Sequence, residues 1–385
     1  MKKFMQSVTK ILSNKRSLFI YLLAFAVIGT AYLISTQAAT ISYDIEAESG
    51  QTQSPAVQVS DATASSGSAI KFGSATGDAT SPIPGYTLKW SDEFNGTAVD
   101  SAKWNVPNNS NFGSGSNEDQ CYQVGNTLVS GGFLNLIAKK QTVTTCPVNP
   151  DGYGTKDNYF WTSGMVSTSG KEGPLKYSFT QGYAEAKMKV PVGNAYWPAF
   201  WLVGTGVAGQ DPGWPAYGEF DVMETYGSIP DVTTGTIHYA CPGHCQTRPN
   251  FYNLALRDYG TKGTTSPNIG VTNDWHTYGL LWTDTRITWY VDGKSFLYFE
   301  RADNTIHKVD ANGNSISSQS HAAPTTDFWS IPHSFRLNLA IGGSGPTYWG
   351  YNGRESSTSS SYDDGNLAGT VPGTLQVDYV RVWQK

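Results

Sequence analysis

Three carboxylates fall within six residues in Glu219-Phe220-Asp221-Val222-Met223-Glu224. The stretch reads as a β-strand, in which side chains alternate faces with period two. Glu219 and Asp221 then share one face, and Phe220 and Val222 point into a core. Strict alternation would send Glu224 to the core with them. One extra residue absorbed as a β-bulge near Met223 returns Glu224 to the carboxylate face, and bulges recur beside active sites because they re-aim side chains. Two carboxyl groups flanking a bond are the equipment for cleaving a glycosidic linkage. One donates a proton to the leaving oxygen, and the other attacks or activates water. Crowding helps that division, since like charges raise each other's pKa and one proton is retained near neutral pH. A solvated acidic face without function carries only the cost, because strands disfavour Asp and Glu and like charges repel.

Such a strand needs neighbours and a cleft. Just upstream runs Asn194-Ala-Tyr196-Trp197-Pro-Ala-Phe-Trp201-Leu-Val-Gly204. Trp197, Ala199 and Trp201 share a face by alternation, and indole rings lining a groove are large platforms for the apolar C–H faces of sugars. Short alternating runs broken by Gly, Pro, Asn and Asp recur along the chain and long helical periodicity does not, so an all-β sandwich or barrel is expected. Strand candidates are Tyr86–Phe94, Leu128–Ala138, Tyr177–Val190, Tyr196–Leu202, Ala216–Thr225, Thr234–Tyr239, Trp275–Trp282, Ile287–Val291, Phe335–Ile341 and Gln376–Trp383. Asp292-Gly293 signals a tight hairpin. The polar stretch Lys308–Thr326 reads as a loop.

Residues 1–39 differ from the rest. Lys2, Lys3, Lys10, Lys15 and Arg16 precede an apolar run from Leu18 to Ile34 without an acidic residue. This reads as an export segment, either a signal peptide cleaved near Ala38-Ala39 or an anchor over residues 17–35. Basic residues on its N-terminal side place the remainder outside the cytoplasm. Taking those five basic residues from 26 leaves 21 against 31 acidic ones, a formal net charge of −10. Nucleic acid and anionic lipid need a basic face, so neither is an expected partner. Membrane contact is expected only through the N-terminal segment, and the chain is expected to be a monomer.

Residues 40–74 resemble the start of a β-sandwich carbohydrate-binding module and read as a remnant too short to bury a core. Residues 75–85 are a Gly/Ser/Thr/Pro linker, and residues 86–385 read as one β-domain. Four cysteines allow three connectivities. In an exported chain the expected pairs are Cys121–Cys146 and the short loop Cys241–Cys245. A zinc reading of Cys241-Pro-Gly-His244-Cys245 is weaker, because zinc sites prefer two-and-two ligand clusters.

Taken together, Gly218-Glu219-Phe-Asp221-Val-Met-Glu224 and the Trp-Pro-Ala-Phe-Trp segment resemble glycoside hydrolase family 16, the laminarinase and lichenase family. Trp90-Ser-Asp-Glu93-Phe-Asn95-Gly, Thr162-Ser-Gly164, Gly182-Tyr-Ala-Glu-Ala186, Thr236-Ile-His238-Tyr239, Asp274-Trp-His276, Asn338-Leu-Ala-Ile-Gly342 and Val377-Asp378-Tyr-Val-Arg-Val-Trp383 follow in the family's order. The resemblance implies a β-jelly-roll sandwich of two curved antiparallel sheets with a concave substrate cleft. It implies a retaining endo-acting hydrolase of β-1,3 or mixed-linkage glucan, with Glu219 as nucleophile, Asp221 orienting it and Glu224 as acid/base. His238 is expected beside the acid/base. Trp197, Trp201, His238, Asn338 and Trp349 are expected to bind substrate. No catalytic cofactor is implied, but a structural Ca²⁺ held by Glu93, the Gly132 carbonyl and Asp378 is. Alternatives on the same fold are a transglycosylase, a hydrolase of another polysaccharide, or a glucan-binding protein without turnover. Met165 stands where many laminarinases carry a basic residue. An apolar side chain cannot hydrogen-bond sugar hydroxyls, so the sugar stays open.

Overall fold

The computed structural model describes residues 56–60, 68–72, 80–110, 118–148, 159–193, 195–205, 213–227, 233–241, 252–254, 274–310, 312–342 and 372–385. All lie in the unit Gln51–Lys385. The segments expected to serve export, and the expected residues Cys245 and Trp349, fall outside them. No helix among the described residues is long and apolar enough to cross a membrane.

Two antiparallel sheets carry the fold, with a single parallel pairing among the described residues, Gln120–Tyr122 on Tyr159–Ser163. The six-stranded sheet runs in the order Tyr252–Leu254, Thr233–Tyr239, Glu219–Thr225, Tyr196–Gly204, His333–Ile341, Met165–Ser167. The larger sheet centres on Gly182–Lys189, His276–Trp282 and Gly373–Gln384. This is the β-jelly-roll expected from the sequence.

Alternation decides which face packs. On the His333–Ile341 strand, Phe335, Leu337, Leu339 and Ile341 enter the core, while Arg336 and Asn338 point to the opposite face. Opposing them, Ala184, Ala186, Met188, Tyr278, Leu280, Trp282, Val380 and Val382 come from the larger sheet. A one-residue slip would turn the four apolar side chains of His333–Ile341 out of the core, at a cost on the order of 10 kcal/mol. That rivals the whole stability of a typical domain, so the hydrophobic pattern fixes the register.

Four expectations need correcting. Leu128–Ala138 is two strands, Thr127–Ser130 and Phe133–Val143, joined at Gly131-Gly132, where φ values of +61° and +75° suit a two-residue hairpin. The stretch Lys308–Thr326 contains a hairpin instead of a loop. Thr305–Val309 pairs with Ser315–Ser320, whose side chains are all exposed and so give no alternating pattern. Tyr177–Val190 is shorter than expected, with its strand beginning at Gly182. Within 40–74, Ser68–Phe72 pairs with Ala56–Ser60, a strand the sequence reading did not single out.

The Cys121–Cys146 bond is present, with an S–S distance of 1.94 Å. Cys241 is buried in the core.

Candidate active site

The odd spacing of the carboxylates is a bulge. Asp221 stands opposite Thr236 and Glu224 opposite Thr234, so Val222 and Met223 together face Gly235. On the other side, Met223 pairs with Phe200 and Asp221 with Trp201. Val222 and Met223 both enter the core. Glu224 therefore returns to the face of Glu219 and Asp221.

A bulge leaves ladder groups without strand partners. Here the Asp221 carbonyl accepts a 2.8 Å hydrogen bond from the indole Nε1 of Trp289, which reaches across from the other sheet. A Cβ at position 235 would lie 2.5 Å from the Trp289 ring, so Gly235 leaves the room that this indole occupies. Gly218, at the entry to the strand, has φ +82°, and a Cβ there would meet Phe328 at 2.9 Å and His333 at 3.0 Å. Only glycine fits both the backbone angle and the space.

Each outer glutamate is gripped by an indole. Trp197 Nε1 donates to Glu224 Oε1 at 2.8 Å, and Trp214 Nε1 donates to Glu219 Oε2 at 2.8 Å. The Thr236 hydroxyl approaches Glu224 Oε2 at 3.4 Å. Trp197 thus orients the acid/base candidate besides facing the groove. Trp214 is 37% exposed, so it offers a ring face to the cleft as well. The sequence reading passed over Trp214, although it stands five residues before Glu219 in the turn that leads into the strand.

His238 was expected beside Glu224 and lies elsewhere. Its cross-strand partner is Glu219. Its Nε2 is 2.9 Å from Asp221 Oδ2 and 3.7 Å from Glu219 Oε1. The reason is register: His238 stands opposite Glu219, and Glu224, opposite Thr234, lies four positions along that strand from His238 even after the bulge. Asp221 Oδ2 is engaged by His238.

Burial and the neighbouring Asp221 charge push the Glu219 carboxyl up to about 8, against the opposing pull of His238, the Trp214 indole and Arg336. By itself that shift describes a group that keeps a proton. Glu219 still has 14% of its side chain open to the cleft.

The far side of the cleft floor is closed. Trp201 is 8% exposed and packs with Ala199, Val203, Tyr217 and Ile331. Its Nε1 donates to Asn338 Oδ1 at 2.8 Å, and Asn338 Nδ2 donates to the Tyr122 hydroxyl at 2.9 Å. Arg336 covers the Trp201 ring at 4.8 Å and is ion-paired with buried Glu172. Trp201 and Asn338 accordingly build the floor more than they face sugar. Met165 is fully buried opposite Asn338.

The two carboxylates expected to hold calcium have cations of their own. Glu93 accepts both Nε and Nη2 of Arg381, at 3.0 and 2.7 Å. Asp378 lies 3.0 Å from Lys187 Nζ. Gly132 is part of the hairpin turn. As placed, this donor set does not fit an added Ca²⁺: Arg381 takes both Glu93 oxygens, which would first have to give up that pair, and Lys187 sits on Asp378 Oδ2.

The GH16-domain model of β-porphyranases A–D matches residues 87–316. Glucan endo-1,3-β-glucosidase A1 of Niallia circulans is 32% identical over 79% of this chain, a match spanning 38% of that protein's length. The β-glucanase of Rhodothermus marinus is 28% identical over 80% of this chain and 88% of its own. Among solved structures, the endo-β-1,3-glucanase of Pyrococcus furiosus superposes with a TM-score of 0.52 at 27% identity, covering 78% of this chain and 94% of that one. With a family model over more than half its length and the bulged carboxylate strand that the fold supplies, the chain belongs to glycoside hydrolase family 16.

Proposed function

We propose that the chain is a retaining endo-acting hydrolase of β-glucan with β-1,3 or mixed linkage, working outside the cytoplasm. The observation that carries the reading is the pair of glutamates returned to one face by the bulge, each oriented by an indole N–H. Glu219 attacks the anomeric carbon, and the bond to the leaving oxygen breaks as Glu224 supplies its proton. Water then enters, Glu224 takes its proton, the new C–O bond displaces Glu219, and the carboxylate is regenerated. Asp221, bonded to His238, holds negative charge beside Glu219 and so tunes when that carboxyl ionises. The chemistry needs no cofactor. Residues 86–385 are the catalytic unit in this reading, with residues 1–39 serving export, 40–74 a module remnant and 75–85 a linker.

An activated 2-deoxy-2-fluoro β-glucosyl oligosaccharide tests the roles. The expected result is a stable ester, mapped by peptide mass spectrometry to Glu219. An ester on Glu224 reverses the two roles, and inversion of configuration at the product's anomeric carbon removes the double displacement.

A second reading concerns the sugar. The matching family model is named for porphyranases, and Met165 removes a basic hydrogen-bonding group. The family model points to a porphyran-type galactan as the alternative substrate, and Met165 removes an argument for glucan. Reducing-end release from laminarin and lichenan, against agarose and porphyran, separates the two. Glucan cleavage is expected, and release from the galactans alone would transfer the assignment to them.

A further inference from the structure

Three polar groups converge on the cleft face from two strands. His238 Nε2, Asp221 Oδ2 and Glu219 Oε1 offer one ligand atom each, all within 4.8 Å of one another. The Trp214 indole holds Glu219 through Oε2, which leaves Oε1 on the side of His238. Around a tetrahedral ion with bonds of ~2.0–2.2 Å, ligand atoms stand about 3.4 Å apart. The two separations from His238, 2.9 and 3.7 Å, bracket that spacing and the two carboxylate oxygens lie within 4.8 Å of each other, so carboxyl rotations suffice to enclose an ion.

The tautomer of His238 is also open to it. Its Nδ1 is buried without a hydrogen-bond partner among the described residues, so no acceptor there fixes the ring proton. With the proton on Nδ1, the Nε2 lone pair faces two carboxylates. A cation between the three is what stabilises that arrangement. Either the proton shared between Nε2 and Asp221 or a metal ion can fill the role.

We propose that Glu219, Asp221 and His238 bind one divalent transition-metal ion, typified by Zn²⁺, whose remaining position faces the cleft and takes water. Imidazole with two carboxylates suits Zn²⁺ and its neighbours. Calcium wants six to eight oxygens and magnesium a near-ideal octahedron, and the cluster supplies neither. The ion occupies the nucleophile's carboxylate, so binding excludes the sugar. This inhibitory consequence rests on the catalytic reading of Glu219; the site itself rests on geometry alone.

Calorimetric titration of the metal-stripped full chain with Zn²⁺ tests the site, with Ca²⁺ as a parallel arm and Co²⁺ read by visible absorption. One Zn²⁺ per chain is expected, together with the intense band of low-coordinate Co²⁺ and no competition from Ca²⁺. His238→Gln and, independently, Asp221→Asn should each weaken Zn²⁺ binding about tenfold or more. Melting curves identify which variant is folded. Absence of saturable binding overturns the proposal, as does binding unchanged in a folded variant. Zn²⁺ should also inhibit hydrolysis competitively with oligosaccharide, and a hydrolase indifferent to saturating Zn²⁺ overturns it too. If Zn²⁺ binds as stated while no polysaccharide is cleaved, the metal site stands and the catalytic reading falls.

Discussion

Two groups of acidic side chains in this protein stand in contrast. Away from the carboxylate strand, Glu93 lies against Arg381, Asp378 against Lys187 and Glu172 against Arg336. On the carboxylate strand, Glu224 is held by the Trp197 indole and the Thr236 hydroxyl, and Glu219 by the Trp214 indole. A fixed cation pins both the position and the charge of a carboxylate. An indole N–H pins the position and leaves the charge able to change. That difference separates carboxylates that staple strands together from carboxylates able to exchange a proton or form a bond to carbon.

The largest contrast comes from removing one charge in each setting. Glu224→Gln should lower kcat on the order of 10²- to 10⁴-fold, and Glu219→Gln at least as much, with urea midpoints close to the parent. Glu93→Gln should do the reverse. It strands the Arg381 guanidinium, with only 8% of its side chain exposed, and should cost about 3–5 kcal/mol of stability while the folded fraction keeps its kcat. Full activity in either cleft variant, or a stable but inactive Glu93→Gln, breaks the contrast.

His333 extends it to a titratable group buried without an opposing charge. It is fully buried, stacked on Phe220 at 4.3 Å, with Nδ1 bonded to the Ile331 carbonyl. Burial pushes its pKa down to about 4 from 6.5. The folded state therefore holds it neutral where the unfolded chain would protonate it. Its contribution is present above pH 6.5 and is lost as pH falls towards 4, up to about 3 kcal/mol in all. Melting temperatures of the parent should fall across that window more steeply than those of His333→Asn. Parallel profiles would show that another group governs acid sensitivity.

The carboxylate strand was legible because alternation and one bulge are local rules, and Glu219, Asp221 and Glu224 obey them. The Trp-Pro-Ala-Phe-Trp strand was legible for the same reason. What stayed hidden depends on register and on contacts distant in sequence. His238 fell beside Asp221 because its strand partner is Glu219, at the opposite end of the carboxylate strand from Glu224. Trp201 was sealed into the floor by Arg336, and Asn338 by Tyr122, each from a segment far along the chain. Ser315–Ser320 was missed because an edge strand exposed on every residue has no pattern to read. Trp289 had no signal at all: its partner is a backbone carbonyl on the other sheet.

The indoles provide the finest test, since each can lose its N–H and keep an aromatic ring. Trp214→Phe removes a bond to a carboxylate, ~1.5–3 kcal/mol if that group is charged, so kcat should fall by roughly one to two orders of magnitude. Because this indole pulls the Glu219 pKa down, its loss should also move the acid limb of kcat/KM to higher pH. Trp289→Phe removes a neutral bond of about 1 kcal/mol to the Asp221 carbonyl. Its effect should register first as lower stability, with a smaller fall in kcat from a loosened bulge and no displacement of the acid limb. If Trp289→Phe moved that limb as Trp214→Phe does, the bulge would be setting the proton balance of Glu219 directly. The separation between holding a carboxylate and tuning it would then dissolve at the one strand where it matters for the chemistry.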